Sequence, residues 1–133
     1  MNLEIHANAV RIDYTEESVL LIGFAENPEE PEDNFVIIQY HPDLEEEERK
    51  MGWTKYYLEI SSFSEGAYNC VESVSLLHES LTIELSSFGK SEFNIDNIII
   101  YFKIDDRRFT SLTEAIITAF ANEIGKDRIS IIS

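Results

Sequence analysis

The segment NIIIYFKIDDRRFTSLTEAIITAFANEIG (residues 97–125) contains the change in patterning that decides the fold class. It begins inside Ile95–Ile104, the most apolar run of the chain, which predicts a strand near the centre of a sheet. Ser111–Glu114 then fits a capping box and predicts the start of a helix. Apolar residues follow at helical spacing, so we expect a helix over Leu112–Glu123 that ends at Gly125.

Short segments rich in apolar and β-branched residues, separated by polar turns, make up most of the remaining chain, and each is typical of a β-strand. The predicted strands are Leu3–Asp13, Ser18–Ala25, Asn34–Tyr40, Lys55–Ile60, Val71–Leu77, Leu81–Leu85 and a short edge strand at Arg128–Ile132. Together with the C-terminal helix they predict an α+β fold. We expect a mainly antiparallel sheet of about seven strands with that helix packed on it, in one domain spanning residues 1–133.

The composition is that of a globular protein outside the secreted and membrane classes. The 133 residues are 44% hydrophobic, and no apolar run approaches the ~20 residues that span a bilayer. The first residues, MNLEIHANAV, lack the basic and apolar regions of a secretory signal. The single cysteine, Cys70, cannot build a disulfide framework. We therefore expect a soluble cytoplasmic protein.

The charge of the chain is far from balanced. It has 26 acidic and 10 basic residues, a formal net charge of -16. Such a protein repels nucleic acid and anionic membranes and attracts basic partners. Ten of the acids fall between Glu26 and Glu48, a window without lysine or arginine. The window is either a solvated region that aids solubility or a binding surface.

Two predicted elements contain these acids. Asn27–Asp33 includes two prolines and predicts an exposed acidic loop. Pro42 suits the start of a short acidic helix with Asp43–Glu46 in its first turn, and Arg49–Lys50 lies toward its end, which is the favourable order for the helix dipole. Gly52 is the expected C-cap.

Residues that usually carry catalysis or bind metals are few and scattered. His6, His41 and His78 form no HExxH or HxH motif, and the five glycines form no phosphate-binding loop. Cys70 starts a strand-like run and is typical of a buried structural thiol. We therefore expect no enzyme activity, no cofactor and no metal. A pair of catalytic carboxylates that meet only in space is still open.

The only tryptophan, Trp53, follows the acidic helix and lies close in sequence to Lys55 and Tyr57. Aromatic side chains rimmed by charge are typical of the energetic centre of a protein interface. A half-buried aromatic that covers the edge of the core is the other interpretation of Trp53.

A series of short motifs in the middle of the chain resembles a known family. The acidic stretch is followed by Met51-Gly52, Tyr56-Tyr57, Glu59, Tyr68–Val74 (YNCVESV) and Leu81–Leu85 (LTIEL). In this order they resemble the immunity protein 10 family of bacterial polymorphic toxin systems. The resemblance covers roughly residues 18–104 and is strongest over Glu46–Leu85.

The resemblance implies a small cytoplasmic protein that binds a cognate toxin domain and blocks it, and it implies no catalytic residues. The chain departs from the family pattern after Tyr68, where Asn69 and Cys70 replace glycines of the family. The conformation of that turn is therefore a specific question for the structure.

Charge and resemblance lead to one hypothesis for function. Many secreted bacterial toxins are nucleases, whose phosphate-binding surfaces are basic. An acidic inhibitor would be steered to such a surface, and an aromatic anchor would slow its dissociation. The predicted partner-binding residues are Glu29, Glu30, Glu32, Asp33, Asp43, Glu45, Glu46, Glu47, Glu48, Trp53 and Tyr57. The alternative is an acidic adaptor or a small-ligand-binding domain.

Overall fold

The computed structural model describes residues 1–27, 29, 34–61 and 66–132. Within these ranges the strands are β1 (Asn2–His6), β2 (Ala9–Tyr14), β3 (Leu20–Ala25), β4 (Phe35–Tyr40), β5 (Tyr56–Ile60), β6 (Ala67–Tyr68), β7 (Val71–Leu77), β8 (Ser80–Leu85), β9 (Asn97–Tyr101) and β10 (Ile129–Ile132). The helices are α1 (Glu46–Lys50), α2 (Ser87–Phe93) and α3 (Asp106–Ile124), with a 3-10 turn at Lys126–Arg128. The predicted α+β class is confirmed.

These strands form two five-stranded sheets where the sequence patterns predicted one. Sheet 1 has the order β1-β9-β8-β7-β10, with β1 parallel to β9 and β10 parallel to β7. Sheet 2 has the order β2-β3-β4-β5-β6 and is antiparallel throughout. The most apolar strand, β9, is an interior strand between β1 and β8, as its composition predicts.

The predicted strand Leu3–Asp13 is in fact two strands, one in each sheet. The N–H of Ala7 donates to a carbonyl at the end of β9 at 2.7 Å, whereas the N–H of Asn8 donates to a carbonyl at the end of β3 at 2.8 Å. The chain therefore passes from one sheet to the other within two residues. Alternation of apolar residues does not mark this crossing, because Ile5 and Val10, on either side of it, are both buried.

Helix α3 starts earlier than predicted, because Asp105 is its N-cap and accepts a hydrogen bond from the N–H of Arg108 at 2.8 Å. The predicted start at Ser111 is wrong; its hydroxyl donates to a carbonyl of the preceding turn at 3.3 Å. The earlier start adds Phe109 to the buried face. The helix ends at Gly125, as predicted, where φ is +96°. Neither α3 nor any other helix in the described ranges is long and apolar enough to cross a bilayer.

One hydrophobic cluster joins the buried residues of both sheets to the buried face of α3. On β5, Tyr56, Leu58 and Ile60 are fully buried, as their alternation predicts. The buried residues of α3 are Phe109, Leu112, Ala115, Ile116, Ala119 and Phe120. The rings of Tyr56 and Phe120 are in contact, with centroids 5.0 Å apart. Because β5 directly follows the acidic connection, this packing holds the C-terminal end of that connection on the core.

Candidate protein-binding surface

The acidic connection between β4 and β5 forms helix α1, but the helix begins at Glu46 rather than near Pro42 as predicted. Glu45 is the N-cap, and its N–H donates to the Glu48 carboxylate at 3.2 Å. This capping contact explains the later start. Three glutamates lie in the first turn and two basic residues in the last, and Gly52 follows with φ of +88°.

The carboxylates in and before α1 are largely open to solvent. We call them the acidic helix surface; its residues are Asp43, Glu45, Glu46, Glu47 and Glu48. The first four are exposed and Glu48 is half-buried. The sequence analysis predicted all five as partner-binding residues, and the structure brings them together at one end of the connection.

A buried carboxylate on α3 fixes this surface to the core. Both guanidinium nitrogens of Arg49 donate to Glu123, at 3.1 and 3.2 Å, and the backbone N–H of Lys55 donates to the same carboxylate. The Glu123 side chain is only 3% exposed, whereas that of Arg49 is 44% exposed. The positive charge of Arg49 is therefore paired with the Glu123 carboxylate, which lies beneath the helix. No local pattern indicates this contact, because it joins residues far apart in the chain.

The acidic loop that precedes β4 is described only in part. Of the predicted residues, Glu29 is exposed, and Glu30, Glu32 and Asp33 lie outside the described residues. Glu26 has a structural role, since it accepts hydrogen bonds from the His6 N–H at 3.1 Å and the Asn34 amide at 2.9 Å. These hydrogen bonds, chiefly the one from the amide, lower the pKa of Glu26.

Three aromatic rings stand side by side after α1. The rings of Trp53 and Tyr68 stack in parallel, with centroids 4.8 Å apart and planes 6° apart. Tyr57 contacts Tyr68 at 4.7 Å in a tilted arrangement, and its hydroxyl accepts the N–H of Gly66 at 2.9 Å. Trp53 is half-buried and is not among the residues packed on the hydrophobic core. Tyr68 was not predicted as a site residue, because its pairing with Tyr57 across β5 and β6 has no local signal.

These rings line an open groove of about 530 Å³. We call it the aromatic groove; its lining residues are Met51, Gly52, Trp53, Tyr57, Gly66, Ala67, Tyr68, Phe88 and Glu92. Phe88 is 50% exposed and Met51 is 69% exposed, so large apolar groups are left in solvent here. Phe88 and Glu92 share one face of α2 at helical i, i+4 spacing. That spacing was readable from the sequence, but which surface it faces was not.

The aromatic groove shares one lining residue, Tyr68, with a hollow that includes two residues of the acidic helix surface. This acidic hollow has a volume of about 470 Å³ and includes Asp43 and Glu48 among its lining residues. Burial, followed by the neighbouring Tyr57 and Glu48, raises the pKa of Tyr68. The acidic hollow and the aromatic groove therefore meet at Tyr68.

None of the three histidines lines the aromatic groove, and His41 lines the acidic hollow. His6 stacks on the ring of Tyr101 with centroids 4.9 Å apart. His41 lies beside a glutamine at 3.3 Å, and His78 is 2.9 Å from the carboxylate of Asp106. Over the described part of the chain, no three His, Cys, Asp or Glu side chains are grouped so that they could hold a metal ion.

The turn where the chain departs from the family pattern keeps a glycine-like conformation. Asn69 has φ of +53°, in the left-handed region that asparagine tolerates better than most residues. Its N–H donates to the hydroxyl of Thr54 at 2.9 Å. The next residue, Cys70, is fully buried, and burial raises the pKa of its thiol to about 12. Cys70 is therefore a structural thiol, as the sequence predicted.

Comparison with known proteins identifies the family of the chain. A family model described as immunity protein 10 matches residues 6–110, a longer part of the chain than the motifs covered. No curated protein and no solved structure matches the chain at a significant level. The family model spans well over half of the 133 residues and confirms the resemblance seen in the motifs. The chain therefore belongs to the immunity protein 10 family, a family of immunity proteins of toxin systems.

Proposed function

We propose that this protein binds a cognate bacterial toxin domain in the cytoplasm and blocks it, with the acidic helix surface against a basic region of the toxin. Membership of the immunity protein 10 family supports a toxin as the partner. The observation that carries the proposal is that a hollow lined by Asp43 and Glu48 of the acidic helix surface meets the exposed aromatic groove at Tyr68. The protein acts on the toxin by binding and not by catalysis.

Electrostatics supports a basic partner. The net charge of -16 attracts a cationic protein from a distance, and the acidic helix surface concentrates part of that charge. Arg49 does not offset it fully, because Glu123 beneath the helix already pairs with its guanidinium. A nuclease must be basic where it holds the phosphate backbone, so a nuclease domain is the partner class that fits best. Steering of this kind raises association rates above the usual ~10⁵–10⁷ M⁻¹s⁻¹.

The predicted contact residues divide into two roles. The acids that steer are Glu29, Glu30, Glu32, Asp33, Asp43, Glu45, Glu46, Glu47 and Glu48. Trp53 and Tyr57 are the anchors, since both line the aromatic groove. Exposed acids at a rim mostly change the association rate, whereas buried aromatics mostly change dissociation.

Growth rescue tests the proposal. The toxin domain encoded beside the gene is expressed in a bacterial host with and without this protein. A toxin variant that lacks activity controls for the burden of expression. We expect growth to recover to the level of the inactive toxin when the protein is present. Continued arrest at matched expression, together with no complex between the purified proteins, would contradict the proposal.

A further inference from the structure

We infer that the aromatic groove holds an arginine side chain of the toxin domain, beside the contact made by the acidic helix surface. This inference rests on the proposed function for the identity of the partner. The preference for arginine itself follows from the rings, the exposed apolar groups and the carboxylate that line the groove.

The rings of the groove are held in place before any partner arrives. Trp53 lies flat against Tyr68, and the backbone N–H of Gly66 holds the Tyr57 hydroxyl. A side chain on Gly66 would overlap the Tyr57 ring, because a Cβ there would lie 2.6 Å from ring atoms. The ring arrangement is therefore preorganised, which reduces the entropy lost on binding.

The charges around the groove select a cation. Glu92 is the one charged residue among the described residues that line it, and it is exposed. Glu48 stands across Tyr68, in the acidic hollow. A cation entering the groove meets aromatic rings and the Glu92 carboxylate, and among the described residues no lysine or arginine lines the groove to compete with it.

Arginine satisfies this arrangement better than lysine or an apolar side chain. Its planar guanidinium stacks on aromatic rings and pairs with a carboxylate in two parallel hydrogen bonds. Its aliphatic stem would cover the exposed apolar surface of Met51 and Phe88. A basic toxin surface that approaches the acidic helix surface brings such side chains to the neighbouring groove.

The one tryptophan of the chain makes the test direct, because Trp53 fluorescence reports on the groove alone. The probes are acetyl-Gly-Arg-Gly-amide and the same peptide with citrulline or lysine in place of arginine. Citrulline has the shape of arginine without the charge. We expect saturable binding of the arginine peptide, about tenfold tighter than the citrulline peptide and tighter than the lysine peptide.

Two variants locate this binding. Glu92→Gln and Phe88→Ala should each weaken the arginine peptide, and also the complete toxin domain, by about tenfold. Glu114→Gln is the matched control, since Glu114 is an exposed glutamate of α3 that does not line the groove, and it should bind as the unmodified protein does. Circular dichroism melts confirm that all three variants are folded.

The outcomes separate this inference from the proposed function. Equal affinity for the arginine and citrulline peptides, no saturable binding, or unchanged affinity in Glu92→Gln would overturn the arginine groove, even if growth rescue succeeds. Failed growth rescue with a clear arginine preference would instead overturn the toxin as partner. Success in both supports the complete inference.

Discussion

At Gly89, helix α2 passes so close to the β6–β7 connection that a side chain does not fit. A Cβ there would lie 2.3 Å from the carbonyl oxygen of Cys70, and both residues are buried. We expect Gly89→Ala to lower the free energy of unfolding by about 2 kcal/mol, because backbone must move to admit the methyl group. Gly23→Ala is the control, since nothing lies within 4 Å of a Cβ at Gly23. Urea denaturation measures the free energy of unfolding of both variants. Equal values for Gly89→Ala and Gly23→Ala would contradict the prediction.

Truncation of Phe120 should mainly lower stability, whereas truncation of Trp53 should mainly weaken binding of the toxin. Phe120 is fully buried in the core, so Phe120→Ala should cost about 3–5 kcal/mol of stability. Trp53 is half-buried and stacks on Tyr68 outside the core, so Trp53→Ala should cost about 1 kcal/mol or less. In the toxin complex, Trp53→Ala should speed dissociation, at a cost of about 2 kcal/mol or more. Thermal melts and dissociation kinetics measure the two effects; a large stability loss with unchanged dissociation would make Trp53 a core residue.

Cys70 predicts a specific dependence on pH. Burial raises the pKa of its thiol from 9.0 to about 12 in the folded protein. The protonated thiol is therefore favoured in the folded state, and its contribution to stability is present below about pH 9 and lost as the pH rises towards 12. We expect the free energy of unfolding to fall more steeply above pH 9 in the unmodified protein than in Cys70→Ala. The free energy of unfolding is measured by urea denaturation at each pH. If it falls equally steeply with pH in both proteins, the buried thiol is not the cause of the pH dependence.

At the scale of elements, Glu123 holds helix α1 to helix α3. Its carboxylate accepts hydrogen bonds from the Arg49 guanidinium and the Lys55 N–H. Glu123→Gln removes the charge and one acceptor, so we expect a loss of about 1–3 kcal/mol, reduced from a fully buried pair because Arg49 is partly in solvent. Amide exchange in α1 should accelerate as well. Glu114→Gln on the same helix should change neither the free energy of unfolding nor amide exchange in α1. If the two variants behave alike in both measurements, Glu123 does not hold α1 to α3.

Most elements were predictable because they follow from a local pattern, but α2 and β6 were not predicted, and β1 and β2 were predicted as one strand. The alternation of residues along β5 predicted which of its side chains point inward, and the order of acidic and basic residues predicted helix α1. Two boundaries were wrong where a second cap competed: Asp105 begins α3 ahead of Ser111, and Glu45 begins α1 after Pro42. A local pattern identifies a possible cap, but tertiary packing decides which one is used.

At the scale of the molecule, long-range pairing was not predictable. The assignment of strands to two sheets depends on contacts such as β1 with β9, which are distant in sequence. The aromatic groove has the same origin, since it joins the α1–β5 connection, β6 and α2. The acids of the site were visible as a charge run, and Trp53 as an isolated large aromatic. Tyr68, Phe88 and Glu92 come together in the aromatic groove only when the chain is folded.

Charge is the property of the complete molecule on which the proposed function depends. A triple variant, Asp43→Asn with Glu46→Gln and Glu47→Gln, neutralises exposed acids of the acidic helix surface and leaves the capping contact between Glu45 and Glu48 intact. The control variant makes the same change in net charge outside that surface, at three exposed acids: Glu79→Gln, Glu114→Gln and Asp127→Asn.

The rate of association with the toxin domain, measured for both variants across a series of salt concentrations, tests the central claim most directly. We expect the triple variant to associate about tenfold more slowly than the control variant at low salt, with a weaker dependence on salt, and the two rates to converge at high salt. Stability should be unaffected, because exposed charges contribute little to it. Equal association rates for the two variants at every salt concentration would contradict a steering role for the acidic helix surface.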